Sequence, residues 1–200
     1  NKIWLIVGGI FSALEPLAFL AMALFAVYMY RKGEKSHPNK IALFWTIGAS
    51  IVSFVGAGLL GFAHTLPQTN IYTHGTLVTA MHGHYAFWGA YAMIVLAIIS
   101  YALPNMTGRK RYNTTSGHMA FWLSNVGMLG MTVAFGVAGV AQVYLERKMK
   151  LDFMDVQNEI AIHFVVLLLC ATLFTTGITL FIIEFIKYGK PTDEALVKEE

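Results

Sequence analysis

The chain has one cysteine, Cys170, and it lies inside an apolar run. That excludes a disulfide framework and a thiolate metal cluster. Charge is scarce as well: 12% of the residues are Asp, Glu, Lys or Arg, against 56% hydrophobic ones, with 14 Phe and 10 Met. A soluble domain of 200 residues is not that apolar, so the composition points to a polytopic membrane protein in a lipid bilayer. There is no internal repeat, no low-complexity segment and no linker, so one membrane domain is expected. A net charge of +3 and a pI near 9.0 would suit nucleic acid as a partner. The basic residues sit between apolar runs, however, where they act as topology signals, and nucleic acid is set aside. The first residue is Asn, and the opening apolar run is too long for a signal peptide, so a fragment or processed piece is expected.

Five runs are long and apolar enough to span a bilayer, at about 3–30, 41–62, 78–103, 116–144 and 160–186. The fold class is therefore all-α, a polytopic transmembrane helix bundle over residues 1–187 followed by a cytoplasmic tail, 188–200. If all five runs cross, the first loop (Arg31, Lys32, Lys35, Lys40), the third loop (Arg109, Lys110, Arg111) and the tail (Lys187, Lys190, Lys198) share one side. That side holds ten bases, and the other holds four: Lys2, Arg147, Lys148 and Lys150. Positive-inside then puts the N-terminal residue and the loops 65–77 and 146–157 outside.

The third run opens on His82-Gly83-His84. Residues two apart on a helix are separated by roughly 200°, so the two imidazoles point to nearly opposite sides. They cannot chelate one metal together, as an i, i+4 pair can. The spacing suits two separate partners, and Gly83 lets something bulky approach the backbone. Two flat cofactors, each held by one imidazole, answer this description.

Glu15 falls near the middle of the first run and is followed by Pro16, which would kink the helix there. A carboxyl at the bilayer centre costs roughly 2.5–3.5 kcal/mol on insertion scales, so it should face the bundle interior or a wet cavity. It reads as a proton relay or a group beside a metal, against a protonated Glu sharing an interhelical hydrogen bond. His64 and His74 bound the outer loop; each is a partner for an acidic cofactor edge or an interfacial polar residue. His118 and His163 read as interfacial, and His37 as a loop residue. Ser124, Asn125, Met128 and Met131 read as packing and interhelical hydrogen bonding. Glu184 and Lys187, at helical spacing, read as a surface ion pair.

Residues 72–93, YTHGTLVTAMHGHYAFWGAYAM, closely resemble the large catalytic subunit of bacterial nitric oxide reductases, in the haem–copper oxidase superfamily. SALEP at 12–16, GFAHT at 61–65, ISYALP at 99–104 and FMDVQ at 153–157 agree. The resemblance covers essentially the whole chain and matches the C-terminal half of a bundle of twelve or more helices. It implies that His82 is the proximal ligand of a high-spin haem b3, and that His84 is one axial ligand of a low-spin haem b. Glu15 matches a carboxylate close to the non-haem iron, and His74 a loop position near the haem propionates, between which calcium is a further candidate. The implied reaction reduces two NO to N2O and water with two electrons and two protons, in a bacterial cytoplasmic (inner) membrane. The remaining iron ligands, a second glutamate and the second axial histidine of haem b lie upstream in the family, so the N-terminal half of the catalytic protein is an expected partner. The electron donor is a cytochrome c subunit or a quinol. The family's Arg after the FMDVQ block has no counterpart in 160–170.

Three other readings stay open. One is an oxygen-reducing or NO-dismutating haem–copper oxidase relative. Another is a non-catalytic haem-binding electron-transfer or assembly module. The third is a channel or transporter in which Glu15 and His82 line a water-filled path.

Overall fold

The computed structural model describes residues 2–33, 39–108 and 113–187. Lys35, His37, Arg109, Lys110, Arg111, Lys190, Lys198 and the tail expected at 188–200 lie outside the described residues.

Among the described residues five helices are long and apolar enough to span a membrane: Ile6–Lys32, Lys40–Thr65, Leu77–Met106, Thr114–Lys148 and Ala161–Lys187. They are the five expected runs, mostly extended by a few residues because helices continue into the interface until a cap stops them. The first span consists of α1 (Lys2–Ser12) and α2 (Glu15–Lys32). They part at Ala13 and Leu14, where Pro16 falls in the first turn of α2; a missing N–H costs nothing at that position. The second span is α3 (Lys40–Ser53), a wide π-helical stretch over Phe54–Leu60, and α4 (Gly61–Thr65). Asn39 caps α3, accepting from the Ala42 amide at 3.1 Å. The outer loop expected at 65–77 contains a helix of its own, α5 (Pro67–Thr73), which again opens on proline.

The third span consists of α6 (Leu77–Phe87), a second π-helical turn at Trp88–Ala92, and α7 (Met93–Thr107). The fourth is α8 (Thr114–Val143), ending in a π-helical turn at Tyr144–Lys148. A short α9 (Phe153–Glu159) leads into α10 (Ala161–Lys187), the fifth span.

The core joins the second to fifth spans around Trp45, which is fully buried. Its ring meets Phe121 at 5.1 Å, Phe181 at 5.9 Å and Trp88 at 6.0 Å, all edge-on. Among the described residues the first span contributes no buried one.

The most extensive pairing is between α8 and α10, and small residues permit it. A Cβ on Gly127 would lie 2.5 Å from the Phe174 amide nitrogen, and one on Gly177 2.5 Å from the Ser124 amide nitrogen. Between membrane helices, where lipid competes with any apolar surface, such close approach supplies the packing. The same stripe of α10 that buries Gly177 and Phe181 carries Glu184 inward. Glu184 is only 7% exposed and its Oε2 has no partner, so the surface ion pair with Lys187 expected from the sequence does not form. Helical phase, rather than polarity, decides which way this residue faces near a span end.

Replacing Gly127 or Gly177 by Val should separate α8 from α10 and cost about 1–3 kcal/mol. A lowered thermal unfolding midpoint in detergent checks this; an unchanged midpoint for both variants would contradict the pairing.

Candidate functional site

The second and third spans run against each other through three contacts spaced one helical turn apart. Gly48 meets Met93, Gly89 meets the backbone of Val52 and Ser53, and Gly56 meets the backbone of Tyr85 and Ala86, where an added Cβ would come within 2.8 Å of the Tyr85 carbonyl carbon. Two of these contacts are backbone against backbone, which only glycine allows. Gly56 lies in the π-helical stretch and Gly89 in the π-helical turn, and wide turns of this kind are frequent at functional sites.

This close approach sets His82. Its Nδ1 donates to the Gly56 carbonyl at 3.0 Å, which places the proton on Nδ1 and leaves Nε2 with a free lone pair. The Cβ that Gly61 lacks would lie 3.7 Å from His82 Nε2 and 3.6 Å from Glu15 Oε2. Gly61 thus stands between the imidazole of the third span and the carboxyl of the first. Glu15 is exposed on the surface of the chain that faces this gap.

His84 points elsewhere, as the two-residue spacing requires. Its Nδ1 donates to the Ala80 carbonyl at 2.8 Å, again freeing Nε2, and its ring lies 4.9 Å from that of Phe135 on α8. Beside it runs an open groove of about 790 Å³, lined by Thr76, Thr79, Gly83, Phe87 and Met128 among others. A Cβ on Gly83 would meet nothing within 4 Å, so the groove reaches the helix backbone there.

Two imidazoles, each oriented by a carbonyl through Nδ1 and each presenting Nε2, have the donor chemistry of axial haem ligands. A groove that reaches the backbone at Gly83 accommodates a flat macrocycle against His84. A non-haem iron is different. Among the described residues no three His, Cys, Asp or Glu gather to hold a metal, so Glu15 alone does not make an iron or calcium site in this chain.

The other histidines fall into place by their hydrogen bonds. His64 is anchored at both nitrogens, Nδ1 to Thr73 Oγ1 at 3.1 Å and Nε2 to Thr79 Oγ1 at 3.2 Å, and its ring lies 5.9 Å from that of His82. With both nitrogens engaged it braces the outer loop against the third span. His74 is exposed at the end of α5, directly after the Thr73 that bonds His64. His118 packs edge-on to Phe44 at 4.4 Å, and His163 donates through Nδ1 to the Ile160 carbonyl at 3.1 Å. Asn125 bridges helices as expected: its Oδ1 accepts from Trp88 Nε1 at 3.1 Å. Sequence reasoning missed the roles of Gly56, Gly61, Thr73 and Thr79. The signal available for the glycines was the spacing of Gly56, Gly58 and Gly61, which puts small residues on the two faces that meet the third and first spans.

A sequence profile of the family described as Cytochrome C and Quinol oxidase polypeptide I matches residues 1–173. The chain belongs to this family. A nitric oxide reductase subunit of Stutzerimonas stutzeri is 41% identical over 196 residues, covering 94% of this chain and 41% of that protein. The chain spans about two-fifths of the length of that curated relative. Membership in this oxidoreductase family of the haem–copper superfamily, with five apolar spans, makes the protein a multi-pass membrane protein.

The anchoring of His64 leads to a direct expectation. Thr79→Val should release Nε2 and raise the rate at which diethyl pyrocarbonate modifies His64, read by peptide mass spectrometry. Equal rates in the parent and variant proteins would contradict the double anchor.

Proposed function

We propose that this chain is the C-terminal, haem-binding part of a nitric oxide reductase catalytic subunit. The observation that carries the reading is the pair of oppositely facing imidazoles, His82 and His84, each with Nε2 free, in a chain 41% identical to a nitric oxide reductase subunit. His82 would hold the high-spin haem b3 and His84 the low-spin haem b. When bound, the haems supply the electron relay and the redox chemistry by which two NO become N2O and water. The residues of this chain bind and orient: Gly56 fixes the His82 ring through its carbonyl and raises the basicity of the imidazole. The Ala80 carbonyl does the same for His84. Glu15, across Gly61 from His82, is placed to hold a proton or a metal-bound group on the first-span side. His74 is proposed only as a group near the haem propionates, with calcium between them.

The non-haem iron, the second axial ligand of haem b and the electron donor, a cytochrome c subunit or a quinol, would come from the N-terminal half of the catalytic protein or from partners. The greater number of bases on the side of the first and third loops supports a cytoplasmic position for that side, and the proposed location is a bacterial inner membrane. A second reading, an oxygen-reducing or NO-dismutating relative, is favoured by the family match itself, since that family includes oxidases by name.

Metal and haem analysis of the complete membrane-extracted protein separates the two. Two b-type haems and one further iron per molecule, with no copper, are expected; copper in place of that iron would favour the oxygen reductase, and no haem would end both readings. Within the complete protein, His82→Ala should abolish the high-spin optical signal and spare the low-spin one, and His84→Ala should do the reverse. Retention of both signals in either variant would sink the ligand assignment.

A further inference from the structure

The third and fourth spans meet along a seam that leads to His84, and its contacts follow one another from the outer end inward. Gln142 meets Leu77, Gly139 meets Val78, Gly136 meets Met81, and Phe135 meets the His84 ring at 4.9 Å. Leu77 and His84 stand about two turns apart on α6, as do Gln142 and Phe135 on α8. Both pairs therefore fall on the same two facing stripes. A Cβ on Gly139 would lie 2.8 Å from the Leu77 carbonyl carbon, and one on Gly136 2.7 Å from Met81 Sδ. These glycines set how closely the helices approach. A contact with a missing side chain does not fix how far one helix slides along the other.

A directional bond does. Gln142 is only 6% exposed, and its Oε1 accepts from the Leu77 amide at 2.9 Å. That amide is one of the N–H groups that the first turn of α6 cannot satisfy within the helix. The next one, of Val78, donates to Thr76 Oγ1 at 3.3 Å. Gln142 Nε2 in turn donates to Glu146 Oε1 at 2.8 Å, in the π-helical turn that follows α8. An N–H on one side and a carboxyl on the other leave the Gln142 amide one favourable orientation. At the inner end of the seam Trp88 donates to Asn125 at 3.1 Å, so polar bonds hold both ends and the His84 contact lies between them. The His84 ring rests on the Ala80 carbonyl of α6 and against Phe135 of α8, and its plane turns if one helix slips past the other.

We propose that Gln142 is a positioning residue for His84, fixing the register of α6 on α8 and with it the plane of the imidazole. The proposal rests on the reading of His84 as an axial ligand of haem b. Groups that orient such a ligand tune the metal it holds. The angle between the two axial imidazole planes splits the iron d orbitals, and the low-spin electron paramagnetic resonance signal reports that splitting.

The test is this signal in the oxidised, complete membrane-extracted protein. Gln142→Leu should shift or broaden it and leave the high-spin optical signal unchanged, since the Gly56 carbonyl sets His82 from another seam. Gln142→Glu sets two carboxyls against each other and should shift the low-spin signal as well. The double variant Gln142→Glu, Glu146→Gln reverses donor and acceptor along the same bond, keeps an acceptor for Leu77, and should return the parent signal. An unmoved low-spin signal in Gln142→Leu would overturn the proposal, even with a lowered unfolding midpoint. So would a double variant that stays shifted, or low-spin and high-spin signals that move together. A parent protein without any low-spin signal would overturn the haem reading itself, and this proposal with it.

Discussion

The contact of the second and third spans through Gly48, Gly56 and Gly89 is the constraint on which the rest of the site depends. In a bilayer, burying apolar surface between helices gains little over contact with lipid, so association rests on close packing and on hydrogen bonds. Bringing two backbones together at Gly56 and Gly89 supplies the packing and places the Gly56 carbonyl within 3.0 Å of His82 Nδ1. One feature of the backbone thereby determines which imidazole nitrogen carries the proton and which is left to bind. The π-helical stretches at Phe54–Leu60 and Trp88–Ala92 lie at this same seam, where the helices are widest.

Polar groups elsewhere in the spans follow the rule that hydrocarbon imposes. Ser124, Thr132 and Thr46 donate to carbonyls four residues back on their own helices, and Trp88 reaches Asn125 across the third and fourth spans. Among the described residues four buried side-chain atoms depart from it: Trp45 Nε1, Ser53 Oγ, Ser100 Oγ and Glu184 Oε2 lack a partner. Trp45 and Ser53 lie on the second span near the seam, so the tight packing that orients His82 coincides with groups left unpaired, a pattern expected where function competes with stability.

Burial is uneven across the bundle. The second and fourth spans bury the largest shares of their apolar windows, the fifth buries little and the first buries none. Glu15 stands on that least-buried span, facing His82 across Gly61. The two sides of this gap therefore come from parts of the fold with different burial: the closely packed seam presents the imidazole, and a span with no buried residue among those described presents the carboxyl. A chain that spans two-fifths of its relative in length leaves the outer face of such a helix to lipid or to further protein.

Hydropathy and length determined the all-α class and the five spans, because about 20 apolar residues in a row have few alternatives in a bilayer. The opposite facing of His82 and His84 was equally legible, since it follows from helical phase alone. Pro16 marked the break in the first span for the same local reason. Tertiary structure decided the rest. The inward turn of Glu184 depends on which stripe of α10 meets α8. The occupation of both nitrogens of His64 depends on a short helix in a stretch that reads as a loop. The meeting of Glu15, Gly61 and His82 joins three spans up to 67 residues apart in sequence, and the pairing of helices depends on fits between side chains and missing Cβ atoms that no single helix carries.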